Sequence, residues 1–247
     1  MLTKVEGIIL KTQEYGETHK IVTIYTKQYG KLSAIGRGAN KVKSRLSSVT
    51  QPFIKGDFLI YIGKGLSTVR QGEIIQSFRH IREDIIKTAY TAYITELTDK
   101  LTDANQPDKT IYNQLSHTLT WINDKKKFII PIIMYEFKLF NKGGFAPIVD
   151  RCVNCYNKND LHSFSIKEGR LLCKQCNNID PFSFIIGPNI IRLLPIFLNV
   201  GIEQIGTISV KQHNESLLRT IMDQYYDTYG GFLLKSKKFL SQIRLLE

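Results

Sequence analysis

Cys152-Val-Asn-Cys155 and Cys173-Lys-Gln-Cys176 are the stretches that decide the fold of their part of the chain, and they hold its four cysteines. The spacing, C-x2-C-x17-C-x2-C, is typical of a four-thiolate zinc site. Two residues between paired cysteines allow a tight turn to direct both sulfurs at one ion, and the second pair completes a tetrahedron. The sequence therefore predicts one structural Zn2+ ion bound by Cys152, Cys155, Cys173 and Cys176.

The segment between the two cysteine pairs predicts a short β-hairpin. Residues 162–166 alternate like a strand, 167–169 can turn, and 170–172 lead back to the second pair. A hairpin with a cysteine knuckle at each end is the layout of a zinc ribbon. A knuckle often needs a left-handed residue directly after it, and Gly or Asn adopts that conformation best. Asn177 suits the second knuckle, whereas Tyr156 does not suit the first.

Two other interpretations of the cysteines stay open at this point. One pair could be a redox dithiol, but such a motif lies near a βαβ pattern, and the flanks here are a loop and a hairpin. Two disulfides would suit a secreted protein, but no long apolar run follows Met1-Leu-Thr-Lys as it would in a signal peptide. A catalytic zinc keeps one position open for water, so four thiolates favour a scaffold over an enzyme.

The charge balance indicates a polyanionic partner. The 247 residues carry a formal net charge of +12, and residues 1–80 hold 13 Lys/Arg against 5 acidic residues. Such an excess favours nucleic acid or an anionic membrane surface, although a soluble protein from a lysine-rich proteome would also show it. Hydrophobic content is 43%, and no stretch approaches the roughly 20 apolar residues that span a bilayer. We expect a cytoplasmic protein.

The hydrophobic period changes near residue 80. Before it, short β-rich runs at 5–10, 21–26, 32–35, 58–62 and 68–75 are divided by Gly-bearing turns, which predicts a five-stranded OB-fold barrel. After it, helical spacing covers 83–101, with only Glu96 off the pattern, then 110–122 and 131–141, where Pro131 fits the first turn. Further helices follow Gly187-Pro188 and Asn214, and Asn214 can cap the second of them. The prediction is an α+β multidomain protein, with an OB-fold domain at 1–80 and a helical domain at 81–247 interrupted by the zinc ribbon at about 149–181.

A run of basic residues without an acidic one gives candidate nucleic-acid contacts: Lys27, Lys31, Arg37, Lys41, Lys43 and Arg45. Like charges placed together repel one another unless an anion screens them, so we favour contact with a phosphate backbone. Tyr25, Tyr29, Phe53 or Tyr61 could stack on bases, but each is individually better explained as barrel core. A groove between helices near Lys138, Lys142, Arg192 and Arg219 could take an acidic, apolar peptide.

Enzyme motifs are missing from the sequence. There is no GxxxxGK[ST], no GxGxxG opening a helix and no HExxH. The five histidines, at positions 19, 80, 117, 162 and 213, are scattered, and none stands beside a serine or cysteine in a recognised arrangement. We therefore expect a protein that is not an enzyme.

Several stretches resemble the RecO family of bacterial DNA repair and recombination mediators. They are Pro52-Phe-Ile-Lys-Gly-Asp-Phe58 with Tyr61 and 63–68, Gly143-Gly-Phe-Ala-Pro147 through Asp150-Arg-Cys-Val-Asn-Cys155, and Leu234-Lys-Ser-Lys-Lys-Phe-Leu240. The order of barrel, helices, inserted ribbon and basic C-terminal segment is also similar, so the resemblance covers essentially the whole chain. Tyr156 and Asn177 depart from it, because the family often has glycine after a knuckle.

The resemblance implies a non-enzymatic, nucleoid-associated protein that binds single- and double-stranded DNA and anneals complementary strands. It also implies binding to the acidic C-terminal tail of the single-stranded DNA-binding protein. With RecR, the protein would help RecA to replace that protein on single strands. The residues alone leave two other classes open: an RNA-binding OB/zinc-ribbon protein of the translation apparatus, and an enzyme such as a thiol oxidoreductase or a metal hydrolase.

Overall fold

The computed structural model describes residues 1–63, 65–206 and 209–244. Lys64, within the stretch 63–68 quoted above, and the last residues of the basic C-terminal segment lie outside the described residues. The strands are β1 (Leu2–Tyr15), β2 (His19–Thr26), β3 (Gly30–Gly36), β4 (Lys55–Tyr61), β5 (Ser67–Gln76), β6 (Ile148–Cys152), β7 (Leu161–Ser165), β8 (Arg170–Cys173) and β9 (Phe184–Ile185).

The α-helices are α1 (Arg45–Val49), α2 (Arg79–Arg82), α3 (Ile85–Leu101), α4 (Lys109–Asp124), α5 (Ile129–Lys142), α6 (Pro188–Asn199), α7 (Gln212–Tyr229) and α8 (Lys235–Arg244). The chain divides into two compact units. Unit 1 contains Met1–Lys126 and the residues from Leu234 onward, and unit 2 contains Lys127–Leu233. The helices α2 to α4 therefore share a unit with the first five strands, and the domain boundary near residue 80 stays a prediction.

The first five strands close into a barrel in the order β1-β2-β3-β5-β4. All neighbouring pairs are antiparallel except β3 and β5, where Ala34, Ile35 and Gly36 pair in parallel with Ser67, Thr68 and Val69. This confirms the predicted five-stranded barrel. β1 is longer than predicted because it pairs with both β4 and β2, and a register shift between Ile9 and Lys11 bends it from one partner to the other.

Alternate residues of the strands fill the barrel, as the period of two requires. The core includes Val5, Ile24, Phe58 and Ile60, each at most 1% exposed, and Val49 of α1 packs into the same cluster. Helix α1 begins at Ser44, whose Oγ accepts a hydrogen bond from the Leu46 amide at 3.2 Å. The short helix therefore belongs to the barrel core and fixes the loop that precedes it.

Helices α3 and α4 begin at aspartates, as N-cap chemistry favours. Asp84 accepts from the amide of Ile86 at 2.9 Å, and Asp108 accepts from the amide of Ile111 at 3.0 Å. The segment between the two helices lies against the turn of the β2–β3 hairpin at Gly30. This glycine has φ +66°, and a Cβ there would lie 2.1 Å from the Gln106 carbonyl oxygen. Only glycine fits this position.

Helix α8 packs along α3 in unit 1. The carboxylate of Glu96 accepts hydrogen bonds from the Ser236 amide at 2.8 Å, from the Ser236 hydroxyl and from the Lys235 amide at 3.3 Å. Glu96 is the residue that interrupts the apolar spacing of α3. Its position is explained because it caps the amino end of α8, whose free N–H groups favour an anion.

Unit 2 contains a four-stranded sheet, in the order β6-β8-β7-β9, together with α5 to α7. Phe164 of β7 packs edge-on against Tyr225 of α7, with ring centroids 6.0 Å apart. Pro131 lies in the first turn of α5, as predicted. The expected cap at Asn214 is wrong: α7 begins at Gln212 after Lys211, with no side chain capping it. Asn214 therefore lies inside the first turn.

The predicted peptide groove loses two of its four cations to internal contacts. Arg219 is buried and binds Glu136, also buried, through two hydrogen bonds of 2.6 and 2.7 Å. The ammonium of Lys138 donates to carbonyl oxygens at the end of α6, including that of Val200 at 2.7 Å. Burial lowers the pKa of Lys138. Both side chains hold the helices of unit 2 together, so neither presents a free charge to a peptide.

Replacing Glu136 by Gln should strongly destabilise unit 2, because Arg219 would keep a buried charge without its bidentate partner. We expect a loss of about 3 kcal/mol, measured as faster hydrogen exchange in α5 and α7. The matched control is Asp223→Asn, which removes the more exposed partner of Arg219 at 3.1 Å and should cost about 1 kcal/mol or less. Equal losses in the two variants would contradict the assignment.

Replacing Glu96 by Ala should release α8, because the variant leaves two backbone N–H groups without their acceptor. We expect a local loss of about 1–2 kcal/mol, seen as faster exchange across 235–244. The control is Glu83→Ala, which removes an exposed ion pair with Arg79 and should leave α8 unchanged. Unchanged protection of α8 in Glu96→Ala would refute the capping role.

Candidate metal centre and nucleic-acid interface

The four cysteines converge at one point of unit 2. Their Sγ atoms all lie within 4.8 Å of one another, and those of Cys155 and Cys173 are 3.7 Å apart. Four thiolates around one ion, with bonds of roughly 2.3 Å, would be separated by about 3.8 Å. A disulfide would bring two sulfurs to about 2.05 Å, and all four cysteines are free. The cluster therefore has the dimensions to hold a single metal ion.

The small sheet brings the two knuckles together. β6 ends at Cys152 and β8 ends at Cys173, and these two strands are parallel neighbours, with Cys152 paired to Leu171. Parallel strands that end side by side place their terminal residues at the same edge of the sheet. Cys152, Leu172 and Cys173 are buried together, whereas Cys155 is exposed.

The left-handed residue follows the first knuckle and not the second, which is the reverse of the prediction. Tyr156 adopts the left-handed conformation, with φ 59°, and its amide donates to the Cys152 carbonyl at 3.1 Å. Asn177 instead lies in a 3-10 helix, Lys174–Ile179, which follows the second pair directly. Its side-chain oxygen accepts hydrogen bonds from Ser163 at 2.5 Å and Ser183 at 3.3 Å. A helical turn thus replaces the left-handed residue at the second knuckle.

The four sulfurs affect the ionisation of one another. Burial raises the pKa of Cys152, but hydrogen bonds from the backbone amides of Cys155, Cys173 and Asn154 outweigh it and lower that pKa to about 6. The Asn154 side chain lowers the pKa of Cys176, but the neighbouring thiols, Cys173 first, raise it to about 11. Four sulfurs this close can all lose their protons only if a cation shares their charge. Thiolates are the ligands that zinc prefers in structural sites.

Replacing Cys173 by Ser should abolish metal binding, because a buried hydroxyl cannot supply the fourth thiolate. We expect metal content, measured by elemental analysis, to fall from about one ion per chain to nearly none. Hydrogen exchange across 148–185 should accelerate at the same time. The control is Lys158→Ser, an exposed change in the same segment. A variant that kept a full metal equivalent would refute the four-cysteine site.

The six predicted nucleic-acid contacts do not form one patch. Lys27 and Lys31 lie at the turn of the β2–β3 hairpin, where Thr26 pairs with Gly30. The other four follow the opposite end, where Lys20 pairs with Gly36. Six residue steps separate the two ends, or about 20 Å. The structure therefore brings together only the second group, Arg37, Lys41, Lys43 and Arg45.

Lys31 is committed to an internal ion pair in unit 1. Its ammonium lies 3.3 Å from Asp99 Oδ1, and Lys11 reaches the other oxygen of Asp99 at 2.6 Å. Burial raises the pKa of Asp99, but the two lysines more than compensate, so that the pKa lies below its usual value. The ammonium of Lys31 is therefore held in an internal ion pair, which makes it less available to a phosphate. Its partner lies 68 residues away, and the local sequence gives no sign of it.

The segment that joins β3 to α1, which we name the 37–45 loop, presents the other four cations to solvent. Contacts at its base hold it in place. The Gly38 amide donates to His19 Nδ1 at 2.9 Å, and the Asn40 amide donates to the Thr18 carbonyl at 3.0 Å. The loop contains no acidic residue. It is an anchored surface on which every charged side chain is positive.

Of the four aromatic residues proposed for stacking, the structure exposes Tyr61. Tyr25 and Phe53 are 0% and 8% exposed, whereas Tyr61 is 49% exposed; Tyr29 is partly buried and packs against the barrel core. Burial raises the pKa of Tyr25 well above its ordinary value. Tyr25 and Phe53 are therefore buried, but neither belongs to the barrel-core cluster, and Tyr25 packs against Tyr112 of α4 with ring centroids 6.2 Å apart. The outer face of β4 retains one ring able to receive a base.

Two further cations, not identified from the sequence, lie near Arg45 of the 37–45 loop. Lys4 and Arg70 line the same cavity as Arg45. The alternation of β1 could have revealed Lys4, because the inward Val5 beside it turns Lys4 to the outer face. The position of Arg70 could not be read in this way, because it lies at a register shift in β5.

The comparisons with known proteins agree with this architecture. Residues 1–78 match the family model described as "Recombination protein O N terminal", and residues 82–238 match "Recombination protein O C terminal". Together the two models cover the barrel, the helices and the four-cysteine segment. The chain belongs to the RecO family, which confirms the resemblance. The two models meet near residue 80.

Curated relatives resemble the chain over nearly its full length, and each is named "DNA repair protein RecO". The protein of Oceanobacillus iheyensis is 52% identical over 243 residues, covering 98% of this chain and 94% of the relative. That of Bacillus pumilus is 41% identical over 247 residues, covering 100% and 96%. That of Halalkalibacterium halodurans is 40% identical, covering 98% and 96%.

The helices in the described part of the chain were also compared with the dimensions of a membrane. None of them is both long enough and apolar enough to cross a bilayer.

Proposed function

We propose that the protein is a DNA repair protein that binds single- and double-stranded DNA and anneals complementary strands. The observation that carries this proposal is the 37–45 loop, where four exposed cations stand on an anchored segment without an acidic residue. Annealing requires that two phosphate backbones approach each other, and a cationic surface lowers that repulsion. No bond is made or broken, so the reaction needs no catalytic residue. Family membership supports the same function.

Membership of the RecO family also supports three partners. We propose that the protein engages the acidic C-terminal tail of the single-stranded DNA-binding protein, and that with RecR it helps RecA onto the DNA so exposed. Such a protein would act at the nucleoid, in the bacterial cytoplasm. Residues 1–80 would form the DNA-binding domain, consistent with the point at which the two family models meet.

For the metal centre we propose one structural zinc ion bound by Cys152, Cys155, Cys173 and Cys176. The support is a set of four thiol donors of tetrahedral dimensions. The bound ion would supply the cross-link that joins the two knuckles. With four protein ligands it would have no open position for water, so its role would be to stabilise the ribbon.

The proposed function is tested by strand annealing across a salt series. The substrates are complementary oligonucleotides coated with the cognate single-stranded DNA-binding protein, without ATP. We expect acceleration that falls steeply as salt rises, because an affinity that depends on phosphate contacts falls with released counterions. Single-stranded DNA and RNA of equal sequence then compete for the protein. Preference for the RNA, with no annealing, would contradict the proposal and favour the translation-associated alternative.

Reversing Arg37, Lys41 and Lys43 to Glu should abolish annealing and leave the fold intact, because all three side chains are exposed. The matched control reverses Lys100, Lys109 and Lys126, which are exposed elsewhere in unit 1. The control changes the net charge equally. In the loop variant, the slope of log K for DNA binding against log salt concentration should also fall by about 1 for each lost phosphate contact. Equal annealing by the two variants would exclude the 37–45 loop.

A further inference from the structure

A groove of about 710 Å3 runs along the outside of the barrel, between α1 and the strands β1, β4 and β5. Its lining is of mixed character. It includes three cations, two carboxylates and two leucines: Lys4, Arg45, Arg70, Asp57, Glu73, Leu46 and Leu59. Only Ser44 and Arg45 belong to the 37–45 loop, so most of the groove is a separate surface.

The strand register orders these side chains. Lys4 pairs with Leu59, and Leu59 pairs with Gln71 on the other side. One row further along, Asp57 lies between Glu6 and Glu73. In the opposite direction lies Tyr61, which pairs with Leu2 and is half exposed. Since residues two apart on a strand share a face, an exposed ring and an apolar floor adjoin a row of charges.

Two local features shape the groove. Ile60 pairs with Val69 while Leu59 pairs with Gln71, so Arg70 is an extra residue on β5. Such a bulge breaks the alternation and re-aims a side chain, and both Arg70 and Gln71 are exposed. Beside the bulge, a Cβ at Gly72 would lie 2.8 Å from Val49 Cγ2. Glycine therefore lets α1 lie directly on β5 and form the wall.

The guanidinium groups in the groove are available. Lys4 is paired with Asp57 at 2.8 Å. Within the described part of the chain, neither Arg45 nor Arg70 forms an ion pair or a hydrogen bond through its side chain, and both are exposed. Glu73 forms no ion pair among the described residues, although its charge, after the larger effect of Asp57, helps to raise the pKa of Lys4. The groove thus offers two free arginine forks and one carboxylate without a hydrogen-bonded cation.

We propose that this groove holds a segment of single-stranded nucleic acid, with phosphates on Arg45 and Arg70 and with Glu73 selecting bases that carry an exocyclic amino group. The inference rests on the proposed function, and it adds a second contact surface and a base preference. Arginine forks match phosphate oxygens in bidentate geometry. A carboxylate accepts from the amino group of cytosine, whereas thymine presents no amino group there. Leu59 and Tyr61 supply the surface against which a base can lie.

The mixed charge of the groove favours a single strand over a duplex as its occupant. A duplex is stiff and carries phosphates closely spaced on both strands, so it would bring phosphates toward Glu73 as well as toward the arginines. A single strand can turn its phosphates toward the arginines and its bases toward the carboxylate. The 37–45 loop, which lacks acidic residues, has no means of distinguishing bases.

The test measures binding of the full chain to labelled oligo(dC) and oligo(dT) of equal length by fluorescence anisotropy. We expect Glu73→Gln to reduce the ratio of the two affinities about fivefold, the low end of what one base contact contributes. We expect Arg70→Gln to weaken binding of both oligonucleotides about fivefold. The slope of log K against log salt concentration should fall by about 1. Because each variant is compared with the unchanged chain, intrinsic differences between the two oligonucleotides cancel.

The controls are Glu14→Gln and Arg82→Gln, exposed changes of equal charge outside the groove. If both groove variants behaved like these controls while the triple loop variant lost binding, the groove proposal would be overturned and the proposed function would stand. If the unchanged chain bound neither oligonucleotide, the proposed function would be contradicted, and the groove proposal with it. Unchanged DNA binding together with saturable binding of an acidic peptide, lost in Arg70→Gln, would overturn the proposal in favour of a protein partner.

Discussion

Closure of the barrel between β3 and β5 is the constraint on which the candidate DNA surfaces depend. Three parallel pairs join strands that lie far apart in sequence, from Ala34 with Ser67 to Gly36 with Val69. Because β3 leaves the sheet at Gly36, the chain must cross outside the barrel before β4 can begin. That crossing is the 37–45 loop and α1. The helix then returns Val49 to the barrel core, so the cations are carried by a segment that the core itself fixes.

Unit 2 depends on a different kind of constraint. Its sheet is made of short strands, β9 having only two residues, and its buried cluster around the knuckles consists of Cys152, Leu172 and Cys173. So little apolar surface cannot hold the two knuckles in place, and a ribbon this small usually gains stability from a metal or from disulfides. The aromatic contact between Phe164 and Tyr225 then joins the ribbon to α7.

The sequence was sufficient for whatever depends on local pattern. The period of two located the strands, helical spacing located α3 to α5, and cysteine spacing located the four-cysteine cluster that could hold a metal ion. Contacts between distant residues could not be read in this way. Nothing near Lys31 indicates Asp99, and nothing near Glu96 indicates Ser236, 140 residues away. The six cations looked continuous because sequence adjacency hides the length of the β2–β3 hairpin, and Arg70 was missed because a bulge breaks the alternation.

The two surfaces proposed for DNA differ in a way that suits annealing. Strands can pair only if the protein holds them firmly enough to collect them and loosely enough to release their bases. Stacking within a duplex contributes a mean of about 1.4 kcal/mol per base-pair step. A single carboxylate contact in the groove, at the low end of about 1–3 kcal/mol, therefore cannot compete with a growing run of base pairs. The loop would contact phosphates alone and would lose nothing when bases pair. A strand seated in the groove would thus leave it as pairing proceeds, while the loop keeps hold of the backbone.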